Sequence, residues 1–403
     1  MLRAMGRVKL LLGNLAVTLA LLALFAAAGE LWLRKVPEPN DAALLDDGST
    51  KWRFNPYQSD GVLGYVHRPD WATVHQTEDF RVTVHTNALG LRGAPAKATK
   101  ARGTYRILLI GDSFAFGFGV EDDETFAAVL ARSLPPPPGY KRVEVLNAGV
   151  AGWSADQYLL FLETRGFAWR PDLVLLAETE NDPADLAWNR LELDARRLPV
   201  RAQPTRRMID QSGRMRYLEG GPLALPAISF PGQAWLADRS ALYHWLRYRA
   251  AKLWIARAVR GEERRLRREA GTPPEGAIET LTPDAIQRGL WSGPAFQLRY
   301  HRKLVEAIRA ACAERGIALA TLLVNFRPAQ RQADLAEGLT ADCAADPLCI
   351  SSAKLLEGHA ESEVFFAEDG HWKARGHALV GEGLARWLPG VVPVRSGSPI
   401  SAR

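Results

Sequence analysis

The chain has 403 residues, enough for two or three average domains or for one large α/β domain with additions. Hydrophobic residues make up 47% and charged residues 24%, the balance of a globular protein with a sizeable core and not of a disordered one. The net charge of +6 has no RNA- or DNA-binding motif beside it and the arginines are spread widely, so nucleic acid is set aside as a partner.

Three cysteines, Cys312, Cys343 and Cys349, are too few for a disulfide scaffold and lack the paired spacing of a zinc site. Cys343 and Cys349 either close a short loop, if the domain lies outside the cytoplasm, or remain reduced thiols with Cys312. His67, His75 and His85 share no metal-ligand spacing, so no metal is expected there.

Leu10 to Gly29 is an apolar stretch about as long as a bilayer-spanning helix requires, interrupted only by Asn14 and Thr18. Arg3, Arg7 and Lys9 precede it, which orients the N-terminus to the cytoplasm and exports the chain after Glu30. An uncleaved anchor is preferred here over a secretory signal cut at Ala26–Ala28, because the apolar run is long for a signal. Residues 36–103 then read as a β-rich leader and linker, with a short strand at Phe80 to His85 and a turn at Asn87 to Gly93. This leader is expected to form an apron between membrane and main domain.

At Tyr105 to Gly117 a buried run, Ile107 to Ile110, stops at Gly111, Asp112 and Ser113. Such a run is the pattern of a parallel strand covered on both faces, and ligands in open α/β sheets bind outside the carboxyl ends of strands. Ser113 therefore has the address of a nucleophile, although an isolated Gly-Asp-Ser more often just caps the next helix. Asp122 and Asp123 offer an N-cap for a helix carrying Phe126, Val129, Leu130 and Leu134, which Pro135 to Pro138 ends. A second strand at Val143 to Leu146, a helix at Asp156 to Thr164 and a third strand at Leu173 to Leu176 complete a β-α-β-α-β rhythm. That rhythm predicts a parallel sheet with right-handed crossovers.

Between about 184 and 293 the rhythm breaks. Asp238 to Ala270 reads as a long amphipathic helix through Leu242, Leu246, Leu253 and Ala256, its Arg257 to Arg268 run being a solvated face before a polyanion site. The insertion comes after the third strand, which places it on the rim that carries Ser113, where long loops shape substrate access. Gln297 to Arg315 is a helix stopped by Gly316, Ile317 to Val324 a strand, and Ala374 to Leu388 the last helix. The organisation is thus 1–35 anchor, 36–103 leader, 104–393 main α/β domain and 394–403 a disordered tail.

A serine nucleophile needs a base, a group to orient that base, and donors for an oxyanion. Glu368-Asp-Gly-His-Trp372 lies just before the last helix, with Asp369 and His371 two residues apart. At this point the chain resembles the SGNH, or GDSL, hydrolase superfamily. Gly-Asp-Ser113 matches its first block, Asn147 to Gly152 its second, Glu180-Asn-Asp182 its third and Asp369-Gly-His371 its fourth. The resemblance implies a flavodoxin-like three-layer α/β/α domain with a central parallel sheet, here with an N-terminal transmembrane helix and a helical insertion.

Carried over by position, Ser113 is the nucleophile, His371 the general base and Asp369 the orienting acid. The backbone N–H groups of Ser113 and Gly152 and the amide of Asn181 would form the oxyanion hole. Trp153, Glu180 and Trp372 flank these blocks and are candidates for touching a sugar, with core packing an equal reading for the tryptophans and an exposed loop charge for Glu180. Asp112 is expected to hold the turn, and His377 to act as a structural cap or core contact. Two departures stand out: Thr179 replaces the glycine usual in the third block, and the fourth reads Asp-x-His where Asp-x-x-His is common. The short form resembles alginate O-acetyltransferases and related bacterial exopolysaccharide-modifying members. The resemblance implies a cofactor-free serine esterase of the bacterial inner membrane, facing the periplasm and acting on O-acyl, chiefly O-acetyl, esters of an extracellular glycan. An O-acyltransferase served by a membrane acyl-donor partner, and a non-catalytic glycan-binding or assembly protein, are the alternatives.

Overall fold

A computed structural model describes residues 2–36, 56–77, 79–204, 208–209, 215–216 and 230–392. The expected disordered tail, and the part of the leader between 37 and 55, lie outside the described residues.

The chain begins with one continuous helix, α1 (Leu2–Leu33). Its stretch Leu12–Leu33 is long and apolar enough to cross a membrane, and its side chains are exposed from Leu12 to Ala28. Two antiparallel hairpins come next, β1 (Tyr57–Asp60) with β2 (Gly64–His67), and β3 (Trp71–Gln76) with β4 (Arg81–Thr86). After them lie β5 (Thr104–Gly111), α2 (Ser113–Phe116), α3 (Phe126–Ser133), β6 (Arg142–Gly149), α4 (Ala155–Thr164), β7 (Leu173–Thr179) and α5 (Asp182–Asp185). The insertion opens with a hairpin of β8 (Asn189–Leu193) and β9 (Pro199–Pro204) and a minimal pair, β10 (Met208–Ile209) with β11 (Met215–Arg216). Its helices are α6 (Gln233–Arg239), α7 (Ala241–Ala270) and α8 (Pro283–Ser292). The domain resumes with α9 (Pro294–Glu314), β12 (Ala318–Val324), α10 (Ala333–Ala345), β13 (Cys349–Ser351), α11 (Ser352–Leu355), α12 (Glu361–Val364) and α13 (Ala374–Val391).

Five parallel strands form the central sheet in the order β13-β12-β7-β5-β6. Alternation along β5 explains its unbroken apolar text. Leu108 and Ile110 enter one core with Tyr158 and Phe161 of α4 and Tyr300 and Leu304 of α9, whereas Ile107 and Leu109 enter the other with Leu130 of α3 and Leu384 of α13. Both faces are covered, which is what a parallel sheet requires, and the result is the expected three-layer α/β/α architecture. The chain leaves β5 to one side for β6 and returns to its other side for β7, so the switch point lies at the C-terminal end of β5.

Several local expectations are corrected. The first leader hairpin packs on the main domain, with Tyr57, Leu63 and Tyr65 in the same buried cluster as α4. Thr125, not Asp122 or Asp123, caps α3, its hydroxyl accepting from the Ala128 N–H at 3.2 Å. Asp122 is drawn off by Arg92 Nε at 2.6 Å. The helix expected over 238–270 breaks at Ser240, whose hydroxyl accepts from the Tyr243 N–H at 3.1 Å and starts α7 afresh. Of the two cysteine readings, the structure has the disulfide: Cys343 and Cys349 are bonded across a separation of six residues, and Cys312 is a buried free thiol.

Candidate active site

Register alone brings three chain segments to one rim. Gly111 at the end of β5 pairs with Gly149 of β6 on one side and Ala177 of β7 on the other. Ser113, Gly152 and Asn181 each lie within a few residues of those positions. Only glycine fits at 149, since a Cβ there would stand 2.2 Å from the Phe116 N. This lets the end of β6 close against α2.

Ser113 opens α2, and the carboxylate of Asp112 accepts from the Phe114 N–H at 2.9 Å, which holds the turn as expected of it. Burial pushes the Asp112 carboxyl up to about 6. Asp182 is raised well above the usual carboxylate value by burial and then by the charge of Asp112.

His371, 258 residues further along the chain, reaches Ser113. Its Nε2 lies 2.7 Å from Ser113 Oγ, and its Nδ1 makes a short hydrogen bond to Asp369 Oδ1. A ring that donates Nδ1–H to the carboxylate keeps Nε2 free to accept the serine proton. Burial pushes the Asp369 carboxyl up, but the charge of His371 and the hydrogen bonds from its ring and backbone outweigh this and hold it below its ordinary value. The imidazole is held between two rings, with Phe114 at 4.6 Å and Phe118 at 4.7 Å between centroids.

The loop that carries His371 is itself closed by local contacts. Phe365 bridges Trp372, the Phe366 N–H donates to the His371 carbonyl at 2.9 Å, and Gly370 turns the chain at φ +84°. Trp372, next to His371, is fully buried against Phe114. From outside the α/β layers, Asp79 Oδ2 in the β3–β4 turn accepts from the Asp369 N–H at 2.7 Å and the Glu368 N–H at 3.1 Å. Arg92 does the same for the other wall: its guanidinium donates to the carbonyls of Gly117 at 2.9 Å and Val120 at 2.6 Å, so the loop carrying Phe118 is pinned. Sequence reasoning misses both Asp79 and Arg92. Arg92 sits in the Asn87 to Gly93 turn, whose Gly and Asn content is the one signal that could have found it.

The candidate oxyanion donors surround this array. The backbone N–H groups of Ser113 and Gly152 donate to no protein acceptor among the described residues. Asn181 Nδ2 donates to Asp185 Oδ2 at 2.7 Å, which uses one of the two amide hydrogens. The loop around it is fixed through Asp182, whose carboxylate accepts from the Thr179 N–H at 2.9 Å and from the Tyr158 hydroxyl at 2.9 Å. Thr179 is thereby accommodated as the buried last residue of β7.

Three candidate sugar-contacting residues are not at the surface. Trp153 is buried and donates its indole N–H to the Tyr65 carbonyl at 3.1 Å, and Trp372 is buried against Phe114. Glu180 is buried too, paired with Arg331 Nη2 at 2.7 Å and accepting from Asn325 Nδ2 at 2.8 Å. Trp153 and Glu180 satisfy their polar atoms inside the protein, and the Trp372 ring is core packing beside Phe114. His377, expected as a structural cap or a core contact, is buried, and its Nδ1 accepts from the Phe126 N–H at 3.2 Å at the start of α3.

No family model matches the chain, and no curated protein matches it. Among solved structures it is similar to a G-D-S-L family protein from Desulfitobacterium hafniense DCB-2, at 13% identity and a TM-score of 0.36, over 70% of this chain and 99% of that one. It is also similar to a two-domain esterase active on acetylated mannans, at 13% identity and a TM-score of 0.35, over 72% of this chain and 50% of that one. An acetyl xylan esterase from Geobacillus stearothermophilus gives 11% identity and a TM-score of 0.33, over 74% of this chain and 100% of that one. Likenesses of this size carry no argument about the chemistry, which rests on the geometry above.

Proposed function

We propose that this chain is a membrane-anchored serine esterase of the SGNH type, acting through an acyl-enzyme on O-acyl, chiefly O-acetyl, esters of an extracellular or periplasmic glycan. The observation that carries this reading is the linear array of Ser113 Oγ, His371 Nε2 at 2.7 Å, and Asp369 on the far ring nitrogen. The Cys343–Cys349 disulfide supports an oxidising compartment, and α1 supports an anchor.

In the reaction so read, Ser113 Oγ bonds to the ester carbonyl carbon as its proton passes to His371 Nε2. The oxyanion takes hydrogen bonds from the Ser113 and Gly152 N–H groups and the Asn181 amide. The C–O bond to the sugar then breaks, and His371 returns the proton to the leaving hydroxyl. Water repeats the sequence from the other side and releases the free acid. If an acceptor sugar hydroxyl takes the place of water, the same array is an O-acyltransferase, the reading that the short Asp-x-His block favours.

The test is intact-mass analysis of the protein treated with a fluorophosphonate. A single adduct is expected on the parent, none on Ser113→Ala and much less on His371→Ala. Release of acetate from small esters without an acceptor would then support hydrolysis, and turnover only with an added oligosaccharide would support transfer. A folded parent that stays unlabelled overturns the activated serine and leaves a glycan-binding or assembly role.

A further inference from the structure

The end of the apolar helix is tied to the insertion. Glu30, in the last turn of α1, places its carboxylate at the start of α7, where the Ala241 N–H at 3.1 Å, the Leu242 N–H at 2.9 Å and the Ser240 hydroxyl at 2.8 Å donate to it. Arg34 donates to Glu30 at 2.9 Å and to the Arg239 carbonyl at 3.1 Å. The first N–H groups of a helix have no acceptor within it, and a negative charge there is favoured by the helix dipole. Glu30 is thus a cap supplied from 210 residues away. It holds the Ser240 corner at the level where α1 ends.

Around that corner the surface changes character. Trp32 on α1 is 64% exposed, Trp235 on α6 58%, and Leu246 and Leu253 on α7 53% and 72%. Trp245 is exposed beside them. Soluble helices turn such side chains inward. Farther along, α7 behaves as a soluble helix does: Arg265 pairs with Glu262 and Glu269, Arg267 pairs with Glu263, and Leu266 packs on the main core. Among the described residues, the exposed large apolar side chains on α7 belong to its half nearest α1. Two of the rings carry a cation, with Arg239 5.5 Å above Trp235 and Arg249 5.5 Å above Trp245. An indole with a guanidinium over it suits the headgroup layer, where one side is apolar and the other is wet and anionic.

We propose that α6 and the first half of α7 form a membrane-surface element. It lies on the anionic headgroup layer where α1 emerges, with Trp235, Trp245, Leu246 and Leu253 at the acyl boundary and Arg239 and Arg249 against lipid phosphates. This rests on the reading of α1 as a membrane anchor. The 22 residues Leu12–Leu33 span about 33 Å at helical rise, enough to cross the hydrocarbon core and put Trp32 at its boundary. The tie through Glu30 then brings the Ser240 corner to the same depth. Lipid is favoured over a protein occupant because tryptophans from two segments far apart in sequence collect at one end of the apolar helix, two of them with an arginine over the ring.

The test uses the full chain in vesicles of phosphatidylcholine and phosphatidylglycerol, with a fluorophore on single introduced cysteines. Trp32→Cys, Trp235→Cys and Trp245→Cys report the surface, and Glu314→Cys, 75% exposed at the end of α9, is the control. Native Cys312 is buried and the other two cysteines are bonded. A nitroxide lipid labelled near the headgroup is expected to lower emission about twofold or more at 32, 235 and 245, at the shallow depth of an interfacial helix, while aqueous iodide quenches only the control. If Trp235→Cys does not fold, Leu253→Cys replaces it. Lipid quenching at 32 with iodide quenching at 235 and 245 overturns the surface element and leaves the anchor standing. Protection from iodide without lipid quenching at those positions assigns the face to a protein and also overturns it. Absence of lipid quenching at 32 overturns the anchor, and the element with it.

Discussion

Removing the Asp79 carboxylate tests whether the base loop is held from outside the α/β layers. In Asp79→Ala the N–H groups of Asp369 and Glu368 lose a common acceptor that lay 2.7 and 3.1 Å away. A hydrogen bond to a charged group contributes about 1.5–3 kcal/mol. The Glu368 N–H is exposed and turns to water, so the net loss is about that of one bond. If the loss falls on the position of Asp369, and through it on His371, kcat drops roughly 10- to 150-fold. Asp79 touches neither Ser113 nor His371, so KM should stay within about twofold of the parent. Asp79→Asn keeps an acceptor oxygen and should fall between the two. Steady-state hydrolysis of an acetyl ester and the rate of fluorophosphonate labelling read the effect, with Ser113→Ala as the baseline and a thermal melt as the fold control. A folded Asp79→Ala whose kcat and labelling rate match the parent would refute the argument.

Four further outcomes are expected. Asp369→Asn removes the charge that orients His371 and should lower kcat about a thousandfold or more, whereas parent-like turnover would remove Asp369 from the array. Asp112 is pushed up to about 6 from its usual 3.8, so the folded state binds this proton more tightly than the unfolded one; its contribution to stability falls as pH rises from about 4 to about 6. Asp112→Asn should therefore gain Tm over the parent at about pH 8 relative to about pH 5, and an equal difference at both would contradict the assignment. Glu180→Gln disturbs the pair with Arg331 and should lower Tm while leaving KM unchanged; a raised KM with parent-like stability would return Glu180 to the substrate site. Replacing Cys343 and Cys349 together by serine opens a short loop and should cost about 2 kcal/mol by the chain-entropy account, read as a lower Tm under non-reducing conditions.

How legible each feature is depends on the range of the interaction behind it. The three inner strands β5, β7 and β12 declare themselves as apolar runs, since side chains on both faces of each enter the buried layers, and the edge strand β6 shows through its Val143-Glu-Val-Leu146 stretch. The edge strand β13 has three residues and partners on one side only, so it leaves no such run. α8 and α10 also escape the sequence: the first lies inside an insertion whose Pro and Gly content suggests loops, and the second comes after an unpatterned loop beyond β12.

Sequence by itself determined the positions of Ser113, Gly152 and Asn181 along the chain, just past the ends of three strands, because apolar periodicity and glycine turns are local signals. It also placed Asp369 and His371 on one short turn. Tertiary structure decided that this turn meets Ser113, that Asp79 and Arg92 hold the two walls around His371, and that Glu30 caps α7. It also decided that Trp153, Trp372 and Glu180 face inward. A polar side chain that satisfies a backbone group hundreds of residues away has no period and no neighbouring motif. Its partner is set by which loops the packed layers bring together, and that is settled only when the whole core has closed.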